Sequence, residues 1–266
     1  MRVLPIALLL STTAVFAQLG APYQPASGFQ RTWTLGAQTF GPSLTGHFQG
    51  TQDGQPISLD LEGDLGLSKD KATPGFFLDY QGSRFGFQVS TGAAEYRGDR
   101  VINRTVSVDG TSYTAGTQVR SHVKLASVDV IWTTKLVRES DAWLGLDLGV
   151  QTWTLDLDAT SVPVPPGAPV AANTRITVPI PQIGLSGGSR GFNGAVESKA
   201  YIHYLAYKSS KYTLFGADLR VFPVRWFGLR VFYEGGSFDV PRGSVKDDLE
   251  LKVDRKGVGF GAVVRF

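Results

Sequence analysis

The sequence predicts an all-β fold, a transmembrane antiparallel up-and-down β-barrel of about ten strands, within a range of eight to twelve. Three observations support this prediction. Apolar residues alternate with small or polar residues in many short runs. The second face of these runs carries glycines and isolated charges of both signs, as the interior of a membrane barrel does. The connections between the runs alternate mostly between long and short, which is typical of barrels that cross a membrane.

Composition narrows the class of protein. The chain has 266 residues, a size that one all-β domain can fill. Its net charge is only +3, and its Lys and Arg residues are scattered among Asp and Glu. This scatter argues against nucleic-acid binding, which needs a clustered basic patch. The sequence contains no cysteine, so neither disulfides nor a lipidated N-terminal cysteine is expected.

The first seventeen residues have the layout of a secretory signal peptide. Arg2 precedes an apolar run, and small residues follow up to Ala17, after which we predict cleavage. The apolar run is shorter than the roughly 20 residues that a membrane-spanning helix needs. The sequence therefore predicts a signal peptide at 1–17, a periplasmic N-terminal segment at 18–32 and the barrel at 33–266.

Period-two alternation places the strands one after another along the chain. In "AWLGLDLGVQ", for example, Leu144, Leu146 and Leu148 share one face, while Asp147 lies on the other. The same criterion predicts strands at residues 34–50, 74–81, 84–97, 118–136, 142–157, 175–187, 194–207, 211–222, 226–238 and 249–266. An even number of strands places both termini on the periplasmic side.

Three regions depart from this regular pattern. "GPS" interrupts the first strand, and two prolines in "ITVPIPQIGLSGG" require an irregular or edge-like strand. The segment "ISLDLEGDLGL" fits either a further strand or part of a long loop. The connection "KSSK" is short at the end where the other connections are long.

Aromatic side chains near the predicted strand ends suit the interfacial girdles of a membrane barrel. The predicted girdle residues are Trp132, Trp143, Trp153, Tyr207, Tyr212 and Trp226.

The C-terminal strand keeps its alternation up to the last residue. Its terminal phenylalanine resembles the assembly signal of Gram-negative outer-membrane barrels, in which Phe260, Val264 and Phe266 would take part. The blocks "LEGDLGLSKDKATPGFFLDYQGSRFGFQVS", "VDGTSYTAGTQVRS" and "WLGLDLGVQTWTLDLDA" also resemble a family of uncharacterised proteobacterial outer-membrane barrels. The resemblance implies an outer-membrane location, with membrane lipid, lipopolysaccharide and the barrel-assembly machinery as partners. It implies no activity.

The inward faces of the predicted strands carry both acidic and basic residues. This predicted lumen set comprises Asp79, Arg84, Gln88, Asp129, Lys135, Asp147, Gln151, Glu197, Lys199, His203, Asp218, Arg220, Arg230 and Glu234. Opposite charges could pair across the lumen as a plug, or they could line a narrow pore and select ions. Ten strands lie near the size at which side chains fill a barrel, which favours the plug.

The sequence contains no recognisable catalytic or metal-binding motif. His47, His122 and His203 lie on separate predicted strands, without the paired ligands of a metal site, and no cofactor is expected. Ser121 and His122 are neighbours on one strand, so their side chains point to opposite sides. "GDLGLSKDK" lacks the full ligand run of a calcium loop. Acidic residues without a recognisable motif fall near the predicted loop rim, at Asp156, Asp158, Asp239, Asp247 and Asp248.

The sequence thus predicts an outer-membrane barrel with a structural or surface-interaction role through its long loops, where a surface ligand could bind. A narrow passive pore for ions or small solutes is the first alternative. An outer-membrane enzyme, either lipid A-modifying or a protease, is the second.

Overall fold

The computed structural model is a closed antiparallel barrel, and it describes residues 31–266 except 53–54, 104, 109–110, 163–168, 208–209 and 242–249. Its strands are β1 (Thr32–Phe40), β2 (Ser43–Gln52), β3 (Gln55–Asp60), β4 (Ser68–Gln81), β5 (Phe85–Val101), β6 (Val106–Val108), β7 (Thr111–Tyr113), β8 (Gln118–Arg138), β9 (Ala142–Ser161), β10 (Ala171–Gly191), β11 (Val196–Tyr207), β12 (Ser210–Val224), β13 (Phe227–Val240) and β14 (Glu250–Arg265). In the part of the chain that the structure describes, no helix is long and apolar enough to cross a membrane.

Ten strands close the barrel wall. They follow the order β1, β4, β5, β8, β9, β10, β11, β12, β13 and β14, and β14 pairs with β1 to complete the ring. β2 continues β1 after a break at Gly41 and Pro42, and it pairs with the first half of β14. β3 pairs with β2, and β6 with β7 forms a separate hairpin. The predicted fold and strand count are therefore confirmed.

The two ends of the barrel differ in their connections. Turns at 82–84, 139–141, 192–195 and 225–226 join strands at the end that also holds Thr32 and Arg265, which we call the short-turn end. There Trp33 N–H donates to Phe266 O at 2.8 Å, and Phe266 N–H donates to Trp33 O at 2.9 Å. The opposite end carries the longer connections, and we call it the long-loop end.

The barrel wall exposes apolar side chains on its outer face and buries polar side chains on its inner face, as membrane barrels do. Outward residues such as Leu148, Ile202 and Phe260 are exposed, whereas inward Asp147 and Arg220 are buried. On β8 the outward face is free of charge from Ala126 to Leu136. At ~3.4 Å per residue and a tilt of about 40°, this stretch spans roughly 25 Å along the barrel axis, the height of a lipid-facing band.

The departures from a regular pattern have local causes. The break between β1 and β2 coincides with "GP" in the interrupted first strand. Pairing between β10 and β11 begins at Ile183, two residues after Pro181, so the part of β10 that holds both prolines is edge-like as predicted. "ISLDLEGDLGL" contributes the strand β3 and then a turn at 61–65.

The wall rises unevenly at the long-loop end. β5, β8, β9 and β10 continue past the apolar band with charged outward residues such as Lys124 and Asp156, and we call this extension the protruding sheet. β11 ends at Tyr207 and β12 begins at Ser210, so the wall beside the protruding sheet is lower.

Half of the aromatic girdle prediction is wrong. Trp143, Trp153 and Tyr212 are buried and face inward, because strand parity places them on the lumen side. Trp132 and Trp226 are exposed, as a girdle requires. The side chain of Tyr207 lies outside the described residues.

Candidate functional site

A charge cluster centred on Arg220 fills the lumen in the half nearer the short-turn end. Arg220 Nη1 lies 2.7 Å from Asp79 Oδ2, and Arg220 Nη2 lies 3.2 Å from Asp218 Oδ2. Arg230 Nη2 approaches the same Asp218 oxygen at 2.6 Å. All four side chains are buried. Two guanidinium groups thus share two carboxylates, which keeps these charges compensated away from water.

A second cluster ties the last strand to the turns at the short-turn end. Glu197 Oε1 lies 2.9 Å from both Arg190 Nε and Arg265 Nη1. Arg265 also donates to the carbonyl oxygens of Gly194 at 3.0 Å and Arg225 at 3.1 Å. Arg265, the penultimate residue, therefore connects β14 to two different turns.

Aromatic rings pack against the guanidinium groups of two of these arginines. The Arg230 guanidinium lies 4.3 Å from the ring centroids of both Phe77 and Phe232. Arg265 lies 3.8 Å from the centroid of Phe222. These cation–π contacts occupy the faces of the guanidinium groups, while the edges bind carboxylates. Little lumen space remains at this level.

A hydrogen-bond network around Asp147 occupies the middle of the lumen. Asp147 Oδ1 accepts from Thr133 Oγ1 at 2.6 Å and from Ser186 Oγ at 2.7 Å, and its Oδ2 lies 2.9 Å from His203 Nε2. The Tyr201 ring stacks on His203 at 5.1 Å between centroids. All of these groups lie on inward faces.

Glu234 and Lys199 extend the polar network. Tyr201 donates its hydroxyl to Glu234 at 2.8 Å, and Glu234 also pairs with Arg255. Lys199 Nζ donates to Gln88 Oε1 at 3.0 Å. The network thus joins side chains from strands on opposite sides of the barrel.

An apolar cluster, which was not predicted from the sequence, fills the lumen toward the long-loop end. Trp153, Tyr212 and Phe238 meet with ring centroids 6.0–6.2 Å apart, and Leu214 beside them is fully buried. Residues from the connecting segments close over this cluster: Leu61, Leu65, Leu67, Ile102 and Tyr113. Tyr113 donates its hydroxyl to Ala159 O at 2.9 Å, which fixes the β6–β7 hairpin against β9.

A small cavity lies among the charges of the described lumen residues. It measures about 30 Å³ and is lined by Asp79, Trp143, Lys199, Asp218 and Arg220, among others. This volume accommodates roughly one or two water molecules. A hydrated ion or a nutrient molecule is larger than this cavity.

The structure places most members of the predicted lumen set inside the barrel. Asp79, Gln88, Asp129, Lys135, Asp147, Gln151, Glu197, Lys199, His203, Asp218, Arg220, Arg230 and Glu234 all have inward positions. Arg84 does not belong to the set, because it is exposed in the turn between β4 and β5.

Several inward residues that make contacts are not members of the predicted lumen set. Arg190, Tyr201 and Arg255 lie in the lumen network. The available signal was strand parity: Arg255 shares the face of Gly257 and Gly259 on β14. Parity alone, however, does not reveal which residue of another strand lies opposite.

The residues that could have formed an enzyme centre are dispersed. Ser121 is buried and faces inward, whereas His122 faces outward, 3.6 Å from Glu95 and from Asp158. His47 lies 3.5 Å from Glu250 on the outer face. Within the described residues, no group of three His, Cys, Asp or Glu side chains could hold a metal ion.

The other rim acids give no centre either. Asp156 and Asp239 lie on outward positions of β9 and β13. Asp247 and Asp248 fall outside the described residues. The outward residues Phe260, Val264 and Phe266 are exposed, where membrane lipid or an assembly partner could reach them.

No protein-family model and no curated protein matches the chain. Among solved structures, the outer membrane protease OmpT of Escherichia coli is similar at 10% identity and a TM-score of 0.61, over 88% of this chain and 97% of that one. The translocator domain of the autotransporter NalP of Neisseria meningitidis reaches a TM-score of 0.42 at 10% identity, with 88% of each chain covered. OprG of Pseudomonas aeruginosa reaches 0.31 at 10% identity, over 91% and 98%. The similarity to OmpT shows that the chain has the fold of an outer-membrane β-barrel.

Proposed function

We propose that the protein is an outer-membrane barrel of Gram-negative bacteria whose lumen stays closed and whose long-loop end serves as an interaction platform outside the cell. The observation that carries this proposal is the filled lumen. Charged pairs occupy the half nearer the short-turn end, and the apolar cluster occupies the other half. The apolar outer band supports the location, as does the signal peptide predicted at 1–17, which lies outside the described residues.

The energetics of the plug favour this proposal over the pore alternative. A passing ion would have to separate buried pairs such as Arg220 with Asp79, which leaves uncompensated charges in a poorly solvated space. It would then have to cross the apolar cluster around Trp153 and Leu214, whose hydrocarbon groups solvate an ion poorly. The enzyme alternative has no support in the dispersed positions of Ser121 and His122.

We expect the refolded protein to be silent in a planar lipid bilayer. The closed lumen provides no continuous aqueous path, so single-channel recordings in concentrated salt should show no steady conductance steps. Correct folding should be checked first by the change in gel mobility on heating, which compact barrels show. Steady, salt-dependent steps whose ion preference changes in the Arg230→Glu variant would instead support the narrow pore.

We also propose that basic residues above the apolar band bind the phosphate groups of outer-membrane lipid, including lipopolysaccharide. Lys124, Lys211, Lys252 and Lys256 are exposed on outward positions at this level. Lysine next to an anionic headgroup layer gains electrostatic energy, about 1 kcal/mol per residue near the surface. The barrel-assembly machinery remains a proposed partner for Phe260, Val264 and Phe266.

Replacing these four lysines with glutamate should lower the amount of lipopolysaccharide that copurifies with the barrel several-fold. The reason is that four attractive charges become repulsive at the headgroup level. Mass spectrometry of the detergent-extracted protein measures the bound lipid. Arg138→Glu at the short-turn end is the control, because that exposed residue lies at the opposite interface. Equal lipid on the quadruple variant and the control would contradict the proposal.

A further inference from the structure

Among the described strands, the half of β10 nearer the long-loop end pairs with a neighbour on one side only. β10 pairs with β9 from Ala171 to Ser189, but with β11 only from Ile183 to Gly191. The neighbouring hairpin of β11 and β12 turns back near Tyr207. In the described parts of the chain, residues 171–178 therefore have no strand partner on the β11 side. We call residues 171–178 the β10 edge.

The direction of the backbone amides along β10 follows from one hydrogen bond and two prolines. Arg190 N–H donates to Asp141 O at 2.7 Å, on the β9 side. Because amides alternate along a strand and the pairing of β10 with β9 has no register shift, even-numbered amides point toward β9. Pro179 and Pro181 are odd-numbered, so they interrupt no bond to β9. The amides of Asn173, Arg175 and Thr177 consequently face the open side.

On the open side of β10, proline occurs only in the part that lies next to the apolar band. Natural proteins blunt exposed edge strands with proline, since an unpaired row of N–H and C=O groups is a template for another strand. Pro179 and Pro181 do this next to the apolar band, but the β10 edge contains no proline. It contains Thr174, Ile176, Thr177 and Val178, which are good strand formers. The edge also lies beyond the apolar band, because the outward Arg175 is charged and exposed.

We infer that the β10 edge binds an extended segment of another protein outside the membrane, which adds to the protruding sheet as a further antiparallel strand. This inference rests on the proposed interaction role of the long-loop end and specifies the kind of partner that binds there. A second copy of this chain does not fit. Two copies in one membrane are related by rotation about the membrane normal, so their strands, each tilted about 40°, would cross at roughly 80° instead of lying side by side.

The side chains along the edge indicate what the partner segment contains. On the inner face, Ala172 is buried against the apolar cluster and Val178 packs against it. On the outer face, Arg175 Nε lies 3.4 Å from Asp156 Oδ1, while its side chain remains 72% exposed. The partner segment should therefore alternate apolar residues, facing inward, with polar residues, and it should carry a carboxylate beside Arg175.

A labelled peptide tests the inference directly. The probe is fluorescein-Thr-Val-Glu-Val-Thr-Val-Glu-Val, added to the folded protein in detergent. We expect a saturable rise in fluorescence anisotropy, together with slower amide hydrogen exchange at Asn173, Arg175 and Thr177. The same peptide should not bind when every second amide, on the side that faces β10, is N-methylated. It then lacks the N–H groups that would donate to the carbonyl oxygens of the β10 edge.

Two matched variants separate backbone pairing from side-chain contact. Thr177→Pro removes an amide that faces the peptide but none that faces β9, so we expect at least a tenfold loss of affinity with unchanged heat-dependent gel mobility. Thr177→Ser keeps the amide and should bind as the wild type does. Asn173→Pro provides a second edge variant, should Thr177→Pro fail to fold.

Either of two results would overturn the inference: no saturable binding to the wild type at 1 mM peptide, or equal binding by a folded proline variant. The bilayer experiment remains independent of this one. Steady conductance would refute the closed lumen. A silent bilayer combined with no peptide binding would refute only the β10 edge as a binding site and would leave the closed lumen standing.

Discussion

Arg220→Ala should lower the free energy of unfolding by about 3–5 kcal/mol, the usual cost of removing one partner from a buried ion pair. Arg220 contacts Asp79 at 2.7 Å and Asp218 at 3.2 Å, and Glu197 lies 4.0 Å away. Without the guanidinium, Asp79 would lose its only described arginine within ion-pair distance. Asp218 would keep Arg230, so Asp79 should carry most of the penalty.

Urea unfolding of the refolded barrel, followed by tryptophan fluorescence, measures this change. Arg138→Ala is the control, because Arg138 is exposed on β8 and its loss should change stability by about 0.5 kcal/mol or less. A second control replaces both members of the closest pair, Arg220→Leu with Asp79→Leu, and should recover much of the loss. An Arg220→Ala barrel as stable as the Arg138→Ala barrel would mean that these charges are not a structural plug.

Trp153→Ala should destabilise the barrel by a similar amount, about 3–5 kcal/mol, because it empties the centre of the apolar cluster. The Trp153 ring contacts Tyr212 and Phe238, and the Arg255 guanidinium lies 4.6 Å from its centroid. The surrounding strands cannot collapse into the space, since the closed wall fixes their separation. The substitution also removes one of the aromatic rings that contact the Arg255 guanidinium.

The matched control for this prediction is Trp226→Ala. Trp226 lies exposed in the turn between β12 and β13, so its removal should cost about 1 kcal/mol or less. Unfolding of both variants should be compared at equal detergent concentration. A Trp153→Ala effect no larger than that of Trp226→Ala would show that the apolar cluster contributes little to stability.

The strands could be predicted from the sequence because period-two alternation is a local property. "AWLGLDLGVQ" puts Asp147 and Leu148 on opposite faces whatever the rest of the chain does, and the structure keeps that arrangement. The break at Gly41 and Pro42 and the edge-like part of β10 were also predictable, because glycine and proline act locally.

The filling of the lumen could not be predicted to the same depth. Trp132 and Trp153 look alike in the sequence, yet one faces outward and the other lies in the apolar cluster. Inward aromatics at the long-loop end are favourable only because the connecting segments with Leu65 and Tyr113 fold over them, which is a long-range effect. The pairing of Arg220 with Asp79 likewise depends on how the closed wall curves, and not on either strand alone.

The pairing of β1 with β14 joins Thr34 to Arg265, residues from opposite ends of the described chain. The other wall pairs join strands that are much closer in the chain, so this seam, which β2 extends along β14, closes the longest loop and raises the contact order of the fold. Until the seam forms, the sheet has two edges of unsatisfied backbone, and hydrocarbon cannot solvate either of them. Folding should therefore be slowest at this seam, and whatever assists insertion must keep β1 and β14 away from lipid until they meet.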